Sequence, residues 1–160
     1  MRKVRKCLDS VIEEGDWNEV WSVSIFDHFL SEEESDDCQI FNYLLAKEQS
    51  AIDEYLTGEN NFINLYSAIA DEVIIIDYNV ADKLIQTNSA EFIEFITKGL
   101  RKENFFLKYT NKNILVQGGY DRTDIWYINE NSHTETLENL IKDNNLFLLE
   151  KYNYEQWCNF

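Results

Sequence analysis

Apolar positions recur three and four residues apart through roughly the first hundred positions and then begin to alternate, so the chain reads as helices followed by strands. Val4, Cys7, Leu8, Val11 and Ile12 set one apolar stripe on a helix over 3–14, which Gly15 stops. Residues 17–30 carry Trp17, Val20, Trp21, Ile25, Phe26, Phe29 and Leu30, mostly at helical spacing; Val20 to Phe26 would also fit an alternating strand, and the spacing favours helix. The run Ser-Glu-Glu-Glu-Ser-Asp-Asp at 31–37 reads as an acidic loop whose charge suits the start of a following helix, where N–H groups lack partners. Phe41, Leu44, Leu45, Ile52, Tyr55 and Leu56 then define a helix over 37–57, with Gly58 as its stop. Phe62, Leu65, Tyr66 and Ile69 suggest another helix. Val73 to Ile76 is a β-branched run suited to a strand covered on both faces, with a helix through Ile69, Val73, Ile76 and Val80 as the alternative. Asn88 and Glu91 form a capping-box pattern ahead of Phe92, Phe95, Ile96 and Leu100, which predicts a helix over 89–103.

From there the period is two. Phe105 to Tyr109, Asn113 to Gln117 and Asp124 to Asn129 read as strands, with Thr110-Asn111-Lys112 and Gly118-Gly119 as turns. Ser132 with Glu135 marks a further helix through Leu137, Leu140 and Ile141, and Leu146 to Leu149 reads as a last strand. The expected class is α+β, N-terminal helices packed on a C-terminal, mostly antiparallel sheet. With no proline and no linker-like tract, residues 1–160 read as a single domain.

Charge changes this picture. The chain has 14 Lys and Arg against 30 Asp and Glu, a formal net charge of −16, which excludes a protein that coats nucleic acid directly. The excess is local: residues 1–6 carry +4, residues 7–82 hold 19 acids against the single base Lys47, and residues 83–160 are nearly balanced at −2. Such asymmetry fits a surface that meets a basic partner. Arg2, Lys3, Arg5 and Lys6 imitate the start of a secretion signal, but Asp9, Glu13, Glu14 and Asp16 occupy the place of its apolar stretch. The longest aliphatic run, Val73 to Ile76, is far below the ~20 residues of a membrane span. Three widely spaced cysteines, Cys7, Cys38 and Cys158, fit reduced thiols, so a soluble cytoplasmic protein is expected.

Catalytic chemistry is sparse. His28 and His133 are the only side chains that titrate near neutrality without perturbation, and no spacing joins either to a cysteine nucleophile. None of the ten lysines follows an acid by two positions, which removes the usual metal-dependent nuclease pattern. Phosphate-cradling, nucleophile-elbow and zinc-protease motifs are absent, and Gly118-Gly119 alone reads as a turn. Glu32, Glu33, Glu34, Asp36 and Asp37 have oxygen ligands enough for Ca²⁺ but not the alternating spacing that folds a loop around it. The expectation is a protein that is not an enzyme and needs no cofactor or metal.

A strongly acidic chain of this size without catalytic machinery resembles the bacterial immunity proteins of contact-dependent growth inhibition and related polymorphic toxin systems; the stretch Asn88-Ser-Ala-Glu-Phe-Ile-Glu-Phe-Ile96 is similar to a helix in several such families. The resemblance implies a cognate basic toxin domain, commonly a nuclease, neutralised when acidic side chains cover its active or substrate-binding site. The residues expected at the contact are Glu32, Glu33, Glu34, Asp36 and Asp37 first, and Asp16, Glu19, Asp53 and Glu54 as a second patch. Trp17 and Trp21, with Tyr43 and Tyr55, are candidate aromatic anchors because binding hot spots are rich in Trp and Tyr; for Trp17 and Trp21 a core position is an equal alternative, and Tyr55, on the apolar stripe, reads as core. The alternatives are an acidic nucleic-acid mimic that occupies a DNA- or RNA-binding enzyme and a carboxylate/metal enzyme.

Overall fold

The computed structural model describes residues 10–13, 15–77 and 80–159. The helix expected over 3–14 lies mostly outside the described residues, of which 10–13 are helical. The elements in order are β1 (Glu19–Ser24), α1 (Glu32–Asp37), α2 (Tyr43–Glu48), α3 (Ile52–Ile69), β2 (Glu72–Asp77), β3 (Val80–Gln86), α4 (Ala90–Lys102) and β4 (Phe105–Tyr109). After a 3₁₀ turn at Thr110–Lys112 come β5 (Ile114–Gly118), β6 (Thr123–Ile128), α5 (Thr134–Asp143), β7 (Phe147–Asn153) and α6 (Tyr154–Trp157). The fold is α+β. Among the described residues seven strands form one sheet in the order β3-β2-β4-β5-β6-β1-β7, and every neighbouring pair is antiparallel.

One face of the sheet carries the main core. Trp21, Leu107, Val116 and Trp126 from the strands meet Phe62, Leu65 and Tyr66 of α3, Phe92, Ile96 and Leu100 of α4, and Leu137 and Ile141 of α5. On the opposite face Val20, Phe106, Leu115 and Tyr127 are buried beneath Val11, Ile12, Trp17 and the C-terminal Tyr154 and Trp157. Inner strands therefore bury both faces, which is why their apolar runs lose the clean alternation of a one-sided sheet.

Several sequence expectations are corrected. Residues 17–30 are not a helix: 19–24 form β1, with Trp21 and Val23 toward the helices and Val20 toward the other face. The acidic loop at 31–37 is itself a helix, α1. Its cap is reciprocal, the Glu34 N–H donating to the Ser31 hydroxyl while the Ser31 N–H donates to the Glu34 carboxylate at 2.8 Å. The single helix expected over 37–57 is two, broken where Ser50 takes φ 60, and the second continues unbroken through Gly58 to Ile69. The cap of α4 is Ser89, not Asn88, its hydroxyl accepting from the Phe92 N–H. Ser132 caps nothing. Its hydroxyl instead donates to the carbonyl oxygens of Lys112 and Asn113, and His133 precedes α5 with no side-chain cap. Val73 to Ile76 is the expected strand, while β3 was not anticipated.

Candidate functional site

Ser24, at the end of β1, organises one end of the sheet. It pairs with Thr123 on β6 and with Phe147 on β7, so the segment after β1, the β5–β6 turn and the start of β7 converge there. The Ser24 hydroxyl donates to the Arg122 carbonyl at 3.0 Å, and the Ile25 N–H donates to the same oxygen at 3.3 Å. Arg122, in the left-handed region at φ 67, points its side chain the other way, into α3. The guanidinium lies 4.0 Å from the centre of the Tyr55 ring and donates to the Tyr55 carbonyl at 3.2 Å. Gly58 makes this approach possible, because a Cβ there would sit 2.1 Å from Nη2. One buried residue thus ties both the segment after β1 and the first two turns of α3 to the sheet.

The segments so tied flank a groove of about 700 Å³ between the Ile25–Leu30 segment with α1 and the N-terminus of α3. Ile25, Phe26, Leu30 and Ile40 supply its apolar lining, and Glu33, Glu34, Asp37 and Glu54 its carboxylates. Glu54 of the expected second patch therefore joins the first patch, with Asp53 exposed beside it in the opening turn of α3. Glu32 and Asp36 are exposed on the same short helix. Negative charge in the first turn of α3 also stabilises that helix, which lacks a side-chain cap. His28 stands among the acids, 2.6 Å from Asp27 and 3.1 Å from Glu34. Hydrogen bonding to Asp27, then to Glu34, raises its pKa, and the bonds Ser31 donates hold the Glu34 carboxyl below its usual range.

Asp16 and Glu19 do not join this cluster; they lie at the opposite end of β1, about 17 Å away along a six-residue strand. Trp17 is there too, half-buried against Tyr127, with its indole N–H bonded to the Ile12 carbonyl at 2.8 Å. Trp21 is 0 % exposed and its indole N–H is held by Glu19 at 2.6 Å, so neither Trp21 nor that carboxylate oxygen is available to a partner. Burying a side chain of this size stabilises the fold by about 3 kcal/mol, which outweighs an anchor role. Tyr55 is core as well. Among the described residues the exposed aromatics are others: Phe29 at 52 %, Tyr120 at 46 % and Phe147 at 45 %, all on segments that meet at the Ser24 end. The Gly118-Gly119 turn beside Tyr120 was the one hint of them in the sequence, because a turn residue has little to pack against.

Two further acids of residues 7–82 are engaged elsewhere. Glu59 is buried and forms a two-pronged ion pair with Arg101 of α4, at 2.6 and 2.7 Å; Glu72 accepts from Gln86 across β2 and β3. Among the described residues no group of three or more His, Cys, Asp or Glu is arranged to hold a metal ion, and no helix is long and apolar enough to cross a membrane. No family model, curated protein or solved structure matches the chain.

Proposed function

We propose that this chain is an immunity protein that binds a cognate basic toxin domain through the Ser24 end of its sheet and neutralises it by covering its substrate-binding or active site. The observation that carries the reading is the gathering of Asp27, Glu32, Glu33, Glu34, Asp36, Asp37, Asp53 and Glu54 with Phe29, Tyr120 and Phe147 at one end of one sheet. Carboxylates held close together repel one another until cations of a partner lie between them, so association with a basic surface is fast and salt-sensitive. The exposed aromatics supply what charge does not, apolar area that leaves water only in the complex. The rest of the molecule acts as scaffold, and the proposal includes no catalytic role.

Co-expression with the toxic C-terminal domain of an exported protein encoded beside this chain tests the reading. Growth should be restored and a stoichiometric, salt-sensitive complex isolated; charge reversal of Glu33 and Asp37 should slow association about tenfold or more at low ionic strength. Absence of both rescue and complex would overturn it.

A further inference from the structure

We infer that the groove between α1 and the first turn of α3 receives an apolar side chain from a Lys- or Arg-rich segment of the partner protein. The inference rests on the reading of the chain as an inhibitor of a basic domain and names what that domain would place there. Ile25, Leu30 and Ile40 give the groove apolar lining, and Glu33, Asp37 and Glu54 line it with carboxylates from two different helices. None of these three carboxylates is in an ion pair among the described residues, unlike Glu34, which is held by Ser31 and His28.

An occupant must satisfy both features. A phosphate-bearing molecule or an anionic lipid headgroup meets uncompensated negative charge. A second copy of this chain brings a further −16. A small cation satisfies the carboxylates and leaves the apolar lining wet. A basic segment with one Leu, Ile or Phe flanked by Lys or Arg places its apolar side chain on Ile25, Leu30 and Ile40 and its cations on Glu33, Asp37 and Glu54. The opposed α1 and α3 walls fix where those cations stand, so apolar burial and charge pairing are gained together.

Synthetic peptides with four lysines on each side of a central Leu, Phe or Ala test this against the full-length, isotope-labelled chain at about 0.15 M salt, where long-range attraction is largely screened. The Leu and Phe peptides should bind about tenfold or more tighter than the Ala peptide, since burying such a side chain exceeds the free energy of a tenfold change. Chemical-shift changes should centre on Ile25, Leu30 and Ile40. Glu54→Lys should weaken all three peptides and keep their order, whereas Leu30→Asn should erase the order; thermal melts check both folds, and Glu54→Lys, at an exposed site, carries the test if Leu30→Asn unfolds. Equal affinity for the three peptides, shifts centred elsewhere, or self-association moving the same signals would each overturn the groove assignment. Toxin rescue is read separately: rescue that survives with no peptide preference removes the groove and keeps the inhibitor, and peptide preference without any toxin complex does the reverse.

Discussion

The Arg122 guanidinium rests on the ring of Tyr55, 4.0 Å from its centre, and donates to that residue's own carbonyl, so a single arginine holds one helical residue by side chain and backbone together. The contact needs Gly58. In an ordinary helix Gly58→Ala would stabilise by about 1 kcal/mol. Here the new methyl would meet Nη2 at 2.1 Å inside a packed interior, and overpacking of this kind costs about 1–3 kcal/mol. We expect a net fall in Tm for Gly58→Ala, and a double variant Gly58→Ala/Arg122→Ala that is less destabilised than the sum of its parts.

Asp124 gives the fold a pH dependence of definite sign. Its carboxyl is buried, accepts from Tyr66 at 2.6 Å, and is pushed by burial up to about 8 from an ordinary 3.8. Between those values the native state keeps a proton that the unfolded chain has released. The unfolded state then binds fewer protons, so this contribution is complete below about pH 4 and is lost as pH rises toward 8. Asp121, also raised by burial, adds in the same direction. Asp124→Asn, which cannot ionise, should flatten the decline of Tm across this window and leave the protein more stable than the native sequence above pH 8. An unchanged slope in thermal melts would remove Asp124 as its source.

His28 reports on the acidic cluster directly. Its pKa lies above the ordinary 6.5 because Asp27, and after it Glu34, accept from its ring. A proton NMR titration of its ring signals should show this, and Glu34→Gln should bring the midpoint down. As pH rises through that midpoint His28 loses its charge, so association with a basic partner should quicken, and His28→Gln should abolish that quickening.

The structure exchanges the roles of two kinds of aromatic residue. Trp21→Ala should cost about 3–5 kcal/mol of stability, the usual result of emptying a buried aromatic site. Phe29→Ala and Tyr120→Ala, at half-exposed positions, should leave the melting transition nearly unchanged and, under the proposed function, lower affinity for the basic partner about tenfold or more. Calorimetry on all three variants separates the two classes.

The helices α4 and α5, each with one buried face, keep helical spacing and lie near their expected places, whereas β4, β5 and β6, buried on both faces, were legible as short apolar runs set off by turn residues at 110–112 and 118–119. The errors have separate causes. Residues 19–24 sit in a strand buried on both sides, where Val20, Trp21 and Val23 erase the alternation that would separate strand from helix. At 31–37 the weight of charge concealed a reciprocal cap, Ser31 with Glu34, that the same capping rule applied at 88–91 would have found. Gly58 looked like a stop because nothing local reveals a guanidinium arriving from residue 122. The acids of the groove were legible as a cluster; Glu54 joining Glu33 and Asp37 was not, since that depends on how α3 meets the loop after β1.

The chain's first strand lies between β6 and β7, so Val20 waits for Tyr127 and Tyr152, each more than a hundred residues downstream. Contacts that span nearly the whole polypeptide are the slow ones to form. During synthesis β1 therefore has no neighbours until the final strands emerge from the ribosome, and the walls that Arg122 ties together cannot assemble earlier. A newly made molecule completes the acidic end of its sheet as the last event of its maturation, and truncation before β6 leaves that segment without a scaffold.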